Sequence, residues 1–150
     1  MSGGPRVTLT RRYRFAASHR LHSPKLSEAE NRRIYGKCAN PHGHGHNYSL
    51  EVTLGGVVDP ATGMIANLAE LDPFVEREVL EAFDHRNLNE EVPEFAAVVP
   101  TTENVCRAIF RRLQKFPAAR LARIRIEETS LNSFEYDGEP GEGVPWAAKN

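Results

Sequence analysis

Two stretches of this chain alternate between apolar and polar residues, and histidines stand where each apolar row meets the loop between them. Over residues 7–19 the apolar side chains occupy mainly odd positions, and the row ends at His19. Over residues 44–54 they occupy even positions, and the row begins with His44 and His46. Because side chains alternate between the faces of a strand, each stretch is predicted to be a strand with one buried face. Antiparallel pairing would then bring the three imidazoles together.

Three converging histidines predict a metal centre. Three protein ligands with an open fourth position are typical of catalytic zinc, whereas structural zinc sites are usually closed by four ligands and rich in cysteine. The alternative is that these histidines are polar residues at the rim of the sheet. That alternative would account for a single histidine, but three histidines at matching positions favour a metal. We therefore predict that His19, His44 and His46 bind Zn²⁺, although three imidazoles would also accept other divalent ions.

Two further segments predict helices. The 24 residues 20–43 form a long connection, in which a short helix could open at Ser27. A later helix is predicted to begin at Thr101 or Thr102, whose hydroxyl can cap it.

Another helix is predicted from apolar residues at helical spacing between 71 and 83. Asp72 is a suitable N-cap and Pro73 suits the first helical position. A start at Asn67 would instead place Pro73 inside the helix.

The rest of the pattern completes an α+β domain. Alternation at Ala122, Ile124 and Ile126 predicts a third strand, and Phe134 and Tyr136 indicate a short fourth. The order strand, strand, helix, helix, strand, strand is typical of an antiparallel sheet with helices on one face. A chain of 150 residues is long enough for one core and short for two, so residues 1–150 are predicted to form a single domain.

Charge and hydropathy argue against some classes of function. The net charge of −1 argues against a nucleic-acid partner held by bulk electrostatics. Residues 1–58 carry nine Lys and Arg against three Asp and Glu, which suits either a solvated surface or a site for a small polyanion. No apolar run approaches the roughly 20 residues of a membrane helix, and the first residues lack a secretory signal, so a cytoplasmic protein is expected.

Several other side chains are candidates for chemistry. Glu128 ends the apolar row of the third strand, so it should meet a cation or N–H donors; a salt bridge to an arginine is the simpler alternative.

Cys38 precedes His44 by six residues and could be a fourth ligand, a nucleophile or base, or a packed thiol. Lys37 and a nearby metal would both lower its pKa. Asp84 with His85 could form a proton relay, or Asp84 could simply be a turn residue.

Five motifs follow one another between about Thr8 and Gly138. They are Phe15-Ala-Ala-Ser-His-Arg-Leu21, Gly36-Lys-Cys-Ala-Asn-Pro-His-Gly-His-Gly-His-Asn-Tyr48, Asp59-Pro-Ala-Thr-Gly-Met64, Asp84-His-Arg-Asn-Leu88 and Thr101-Thr-Glu-Asn-Val105. Together these motifs resemble the 6-pyruvoyl-tetrahydropterin synthase family. This resemblance implies a zinc lyase that converts 7,8-dihydroneopterin triphosphate to 6-pyruvoyl-tetrahydropterin and releases triphosphate.

The resemblance also implies roles for particular residues. The zinc ligands fall on the three histidines already selected, and the catalytic thiolate falls on Cys38. Asp84 and His85 supply the second acid/base group, and Glu128 anchors the pterin. Further residues expected to line the pocket are Thr101, Thr102 and Glu103.

The implied fold is the T-fold, a four-stranded antiparallel sheet with two helices on one face. In that family three subunits close a barrel and two rings form a homo-hexamer, with sites between subunits. Arg20, Lys25 and Lys37 are candidates for holding the triphosphate.

Two alternatives remain open. The first is the related 6-carboxy-tetrahydropterin synthase, in which the cysteine typically stands closer to the H-x-H pair than the five intervening residues found here. The second is a non-enzymatic zinc- or pterin-binding module.

Overall fold

The sheet is organised by the pairing of two long strands. A computed structural model describes residues 4–139. Strands β1 (Arg6–His19) and β2 (His44–Val57) are antiparallel along their whole length, and His19 lies opposite His44. The predicted antiparallel pairing is confirmed. It places the three histidines at one end of the sheet.

Three more strands extend the sheet on both sides. They are β3 (Arg86–Asn87), β4 (Arg120–Thr129) and β5 (Asn132–Tyr136). The strand order is β3-β1-β2-β4-β5, and all pairs are antiparallel except the two-residue parallel contact of β3 with β1. The predicted α+β class with an antiparallel sheet is confirmed. The sequence did not predict β3, because two residues are too few to show a period.

Most of the helices cover one face of this sheet, whereas the first lies in the long connection between β1 and β2. They are α1 (Glu28–Tyr35), α2 (Leu68–Val75), α3 (Glu81–Phe83), α4 (Leu88–Glu91) and α5 (Thr102–Leu113). A π-helical turn, Glu76–Leu80, joins α2 to α3. Apolar side chains of the long helical runs pack in one core with those of β1, β2 and β4, which include Phe15, Leu50, Val52 and Ile124. Within residues 4–139 no helix has the length and apolar character needed to cross a bilayer.

Helix α2 begins earlier than it would if Pro73 were its first residue. The Asn67 side chain accepts a hydrogen bond from the Ala69 N–H over 2.9 Å and caps the helix, so Pro73 lies inside it. An internal proline removes one backbone hydrogen bond. Asp72, expected as the N-cap, instead accepts hydrogen bonds from Arg11 and the Tyr13 hydroxyl on β1. The N-cap prediction for Asp72 is therefore wrong, because tertiary hydrogen bonds use that carboxylate.

Two irregularities in β4 change which of its side chains are buried. The register with β2 shifts next to Leu54, so that Leu121 is buried where alternation predicts Ala122. The register with β5 shifts between Glu127 and Thr129, so that Glu128 has no partner residue across the strands. Such bulges add one residue to a strand and re-aim its side chains.

An ion pair ties α5 to the segment before it. Arg112 holds Glu94 with two hydrogen bonds, of 2.6 and 2.8 Å, and donates a third to the Glu78 carbonyl. The guanidinium also lies over the Phe83 ring, 5.2 Å from its centroid. These hydrogen bonds from Arg112 lower the pKa of Glu94.

We expect Glu94→Gln to lower the free energy of unfolding by about 1 kcal/mol at neutral pH, because both side chains remain partly exposed. A carboxyl with a lowered folded-state pKa stabilises above its unfolded-state pKa and loses that contribution as the pH falls through the folded-state value. Urea unfolding at neutral pH and at an acidic pH should therefore show the difference between wild type and variant narrowing as the pH falls below the unfolded-state pKa of about 4.3. Glu90→Gln, on the exposed side of α4, is the control. An equal deficit at both pH values would contradict the assigned pairing.

Candidate metal centre and active site

The three predicted histidines converge at the end of the β1–β2 pair. His19 is the last residue of β1, and His44 and His46 lie on the same face at the start of β2. One nitrogen from each ring lies within 4.8 Å of the others. Nε2 of His44 and Nε2 of His46 are 3.0 Å apart, close enough to share one proton or one cation. The group can bind a metal ion.

The protonation of His19 fits a metal ligand. This residue is 1% exposed, and its Nδ1 lies 2.9 Å from the Pro100 carbonyl oxygen, to which it can donate. That hydrogen bond leaves the lone pair on Nε2, which is buried and has no partner among the described residues. Burial lowers the pKa of His19 and so favours the neutral ring. A buried nitrogen without a partner is costly, whereas a neutral imidazole oriented by a carbonyl is a usual metal ligand.

Cys38 lies beside this group, in the 3-10 turn Gly36–Ala39. Its Sγ is 3.5 Å from Nε2 of His44. Burial raises the pKa of the thiol and the Glu128 carboxylate raises it further, whereas Lys37 lowers it by a smaller amount. The expected effect of Lys37 is therefore present, but in the chain by itself desolvation outweighs it, and the pKa of Cys38 is raised.

Glu128 approaches the same group from β4. Its Oε2 is 3.9 Å from Nε2 of His46, and its Oε1 accepts a hydrogen bond from the Thr102 hydroxyl. The side chain is 17% exposed, and in the described part of the chain no arginine contacts it. The simpler alternative, an arginine salt bridge, is therefore absent from residues 4–139. The carboxylate is held near the three histidines, and one of its oxygens is not used by Thr102.

The two neighbours of Thr102 are placed differently. Thr101 caps α5, since its hydroxyl accepts a hydrogen bond from the Asn104 N–H. Glu103 is exposed in the first turn of α5. The predicted helix start is confirmed, and of the three pocket residues expected here the structure brings Thr102 to Glu128.

Asp84 and His85 form a pair in the chain just after α3. Oδ2 of Asp84 is 3.1 Å from Nδ1 of His85, and Oδ1 accepts a hydrogen bond from the Ala16 N–H. His85 adopts a φ of 61°, which is uncommon for a residue other than glycine. Its side chain is 83% exposed, and no hydrogen bond or ion pair in the described residues joins it to Cys38. Within residues 4–139 of one chain, this pair therefore makes no direct polar contact with the thiol.

The arrangement has the features of a metal-assisted enzyme site. Structural metal sites are closed by four ligands, whereas this group offers three imidazoles with a thiol and a carboxylate beside them. A thiol and a carboxylate can move protons and bind N–H groups next to a Lewis acid. The fold and the site thus fit one class of protein, a metal-assisted acid–base enzyme on an antiparallel α+β scaffold.

Comparisons with known proteins identify the family. The family model described as 6-pyruvoyl tetrahydropterin synthase matches residues 8–139. The chain is 49% identical over 140 residues to the Homo sapiens protein named 6-pyruvoyl tetrahydrobiopterin synthase, covering 91% of this chain and 97% of that protein. The structure of Caenorhabditis elegans 6-pyruvoyl tetrahydropterin synthase matches with a TM-score of 0.88 and 45% identity, covering 93% of this chain and all of that one.

The chain belongs to the 6-pyruvoyl tetrahydropterin synthase family, whose members are enzymes. The predicted family and T-fold are confirmed. A putative 6-carboxy-5,6,7,8-tetrahydropterin synthase from Archaeoglobus fulgidus is less similar, at 34% identity over 106 residues, which cover 71% of this chain and 84% of that protein.

We expect His44→Ala to weaken zinc binding more than about 100-fold, since loss of a ligand should cost more than the 10- to 100-fold loss that follows removal of an outer partner. His42→Ala is the matched control, because His42 lies in the same H-x-H-x-H run but is exposed. Competition with a chelator measures both affinities. Full zinc affinity in His44→Ala would show that the ligand assignment is wrong.

Proposed function

We propose that this protein is a zinc-dependent lyase that converts 7,8-dihydroneopterin triphosphate to 6-pyruvoyl-tetrahydropterin with release of triphosphate. The observation that carries the proposal is the convergence of three imidazoles with the Cys38 thiol in a member of this family. His19, His44 and His46 would hold the ion. Zinc, when bound there, would act as a Lewis acid on substrate oxygens and stabilise the negative charge that develops on them.

In this proposal Glu128 positions the pterin. A carboxylate accepts hydrogen bonds from the paired N–H groups of a pterin's amino-pyrimidine edge. The Thr102 hydroxyl donates a hydrogen bond that fixes the orientation of this carboxylate. The other carboxylate oxygen of Glu128 lies 3.9 Å from Nε2 of His46. The pterin side chain would therefore start next to the metal ligands. Thr101 and Glu103 would complete the lining of the pocket.

Cys38 and His85 are the proposed proton-transfer residues. The reaction oxidises the side chain of the substrate while its ring is reduced, so it needs proton movements and no external oxidant. Cys38, beside His44, would exchange a proton at one face of the side chain. His85, oriented by Asp84 at 3.1 Å, would exchange the second proton.

The separation of His85 from Cys38 within one chain supports a site shared between copies. The strand order leaves β1 and β5 at the edges, where β1 is covered only by the short β3 and β5 has no further partner strand in residues 4–139. The two edges run in opposite directions, so β5 of one copy can pair antiparallel with β1 of the next. We infer a ring closed in this way, within a homo-hexamer, which would also cover exposed sheet edges.

The product distinguishes this activity from that of the 6-carboxy relative. We expect zinc-loaded wild type to release triphosphate and a 6-pyruvoyl product, identified by mass spectrometry after incubation with dihydroneopterin triphosphate. Cys38→Ala should keep its zinc and fold but lose about 100- to 10,000-fold in turnover. A carboxylated pterin from wild type would overturn the proposed reaction. Unchanged turnover in Cys38→Ala would refute the role of the thiol.

Mixing two inactive variants tests the shared site. If each site takes Cys38 from one copy and His85 from its neighbour, random co-assembly of Cys38→Ala with His85→Ala restores both groups in about one site in four. We expect the co-expressed pair to recover about a quarter of wild-type activity per site. Each variant assembled alone is the control. Activity no higher than that of the single variants would show that both residues must come from one chain.

A further inference from the structure

A second cleft opens beside the candidate metal centre, in the long connection between β1 and β2. It has a volume of about 270 Å³, and its walls are the chain after β1, helix α1 and the turn that carries Cys38. Two hydrogen bonds join the first wall to the third. The Leu21 N–H donates to the Cys38 carbonyl over 2.7 Å, and Nε of Arg20 donates to the Ala39 carbonyl over 3.0 Å. The cleft is therefore fixed to the residues that hold the thiol.

A single buried amide gives the connection its shape. Asn31 is 1% exposed, and its side chain donates to the carbonyls of Ser23, Leu26 and Ser27. Its Oδ1 accepts a hydrogen bond from the Ser23 N–H over 2.8 Å. Because these bonds use the amide within its own loop, Asn31 shapes the cleft and is not the group that binds a ligand.

The lining of the cleft is cationic. Arg20, Arg32 and Lys37 line it, and Glu28 is the one carboxylate among its described lining residues. The Lys37 ammonium forms no ion pair within residues 4–139, and only Nε of Arg20 is engaged. Arg32 lies 3.5 Å from Glu28, with side chains 70% and 68% exposed. An exposed pair of this kind contributes little, so all three cations are available to an anion.

A path of contacts connects this cleft to the proposed pterin anchor. Oε2 of Glu128 lies 3.9 Å from His46, whose Nε2 is 3.0 Å from that of His44. His44 is in turn 3.5 Å from Sγ of Cys38, the residue next to Lys37. The order along the path is carboxylate, metal ligands, thiol and cations. The proposed substrate has the same order: pterin ring, hydroxylated side chain and triphosphate.

We propose that this cleft binds the triphosphate of the substrate through Arg20, Arg32 and Lys37. The inference rests on the proposed function and adds a phosphate-binding site to it. Lys25, close in sequence and equally basic, is not among the residues that line the cleft. The long connection thus carries the cations that hold the leaving group while the chemistry takes place at the metal ligands.

Binding of inorganic triphosphate tests the cleft without turnover. Equilibrium dialysis against the zinc-loaded protein, with zinc content checked afterwards, should show affinity about 10-fold weaker in Arg32→Ala and in Lys37→Ala, as expected for loss of a charged hydrogen bond. The matched controls are Arg33→Ala, one position along α1, and Lys25→Ala. Both should stay within about twofold of wild type.

Kinetics then connect the cleft to the reaction. The same two variants should raise KM for dihydroneopterin triphosphate about 10-fold, while Ki for unphosphorylated 7,8-dihydroneopterin stays unchanged. Equal effects in variants and controls, or none, would overturn the cleft assignment even if wild type is active. An inactive wild type that keeps the dialysis pattern would overturn the proposed reaction and leave the anion site standing.

Discussion

The register between β1 and β2 is the constraint on which the site depends. His19 lies opposite His44, and Ala17 lies opposite His46, so the imidazoles share a face and an end of the sheet. A slip of one residue would move the side chains of a strand to the opposite face. The same register buries Phe15 against Tyr48, whose rings stack with centroids 4.9 Å apart. The core packing and the geometry of the histidine group are therefore specified by one set of strand contacts.

Alternation along the chain was enough to predict this part of the molecule. The strands from residues 7 and 44, the convergence of three histidines and the Thr101 cap of α5 follow from periodicity and capping rules that act over a few residues. For Glu128, alternation predicted the face of the sheet on which the side chain lies. It did not predict the bulge that leaves this residue without a strand partner, nor the hydrogen bond from Thr102. Both depend on the neighbouring strand and helix.

Other features depend on contacts between distant residues and could not be predicted. Asp72 is an acceptable N-cap by sequence, yet its carboxylate accepts hydrogen bonds from Arg11 and Tyr13, about 60 residues earlier in the chain. The helix begins instead after Asn67, which caps it. The pKa of Cys38 is set chiefly by burial, which a neighbouring lysine in the sequence does not indicate. The separation of Asp84 and His85 from Cys38 is likewise a property of the folded chain.

The backbone at His85 adopts a conformation that costs stability. Left-handed φ values cost a side chain with a β-carbon about 1 kcal/mol or more, and glycine would avoid that cost. The strain puts the imidazole against the carboxylate of the preceding residue and leaves the ring open to solvent. Selection for stability alone would favour glycine or asparagine here. A laboratory consensus or thermostability screen that does not assay turnover would therefore tend to discard this histidine, and the stabilised protein it returned would lack one of the two proposed proton-transfer residues.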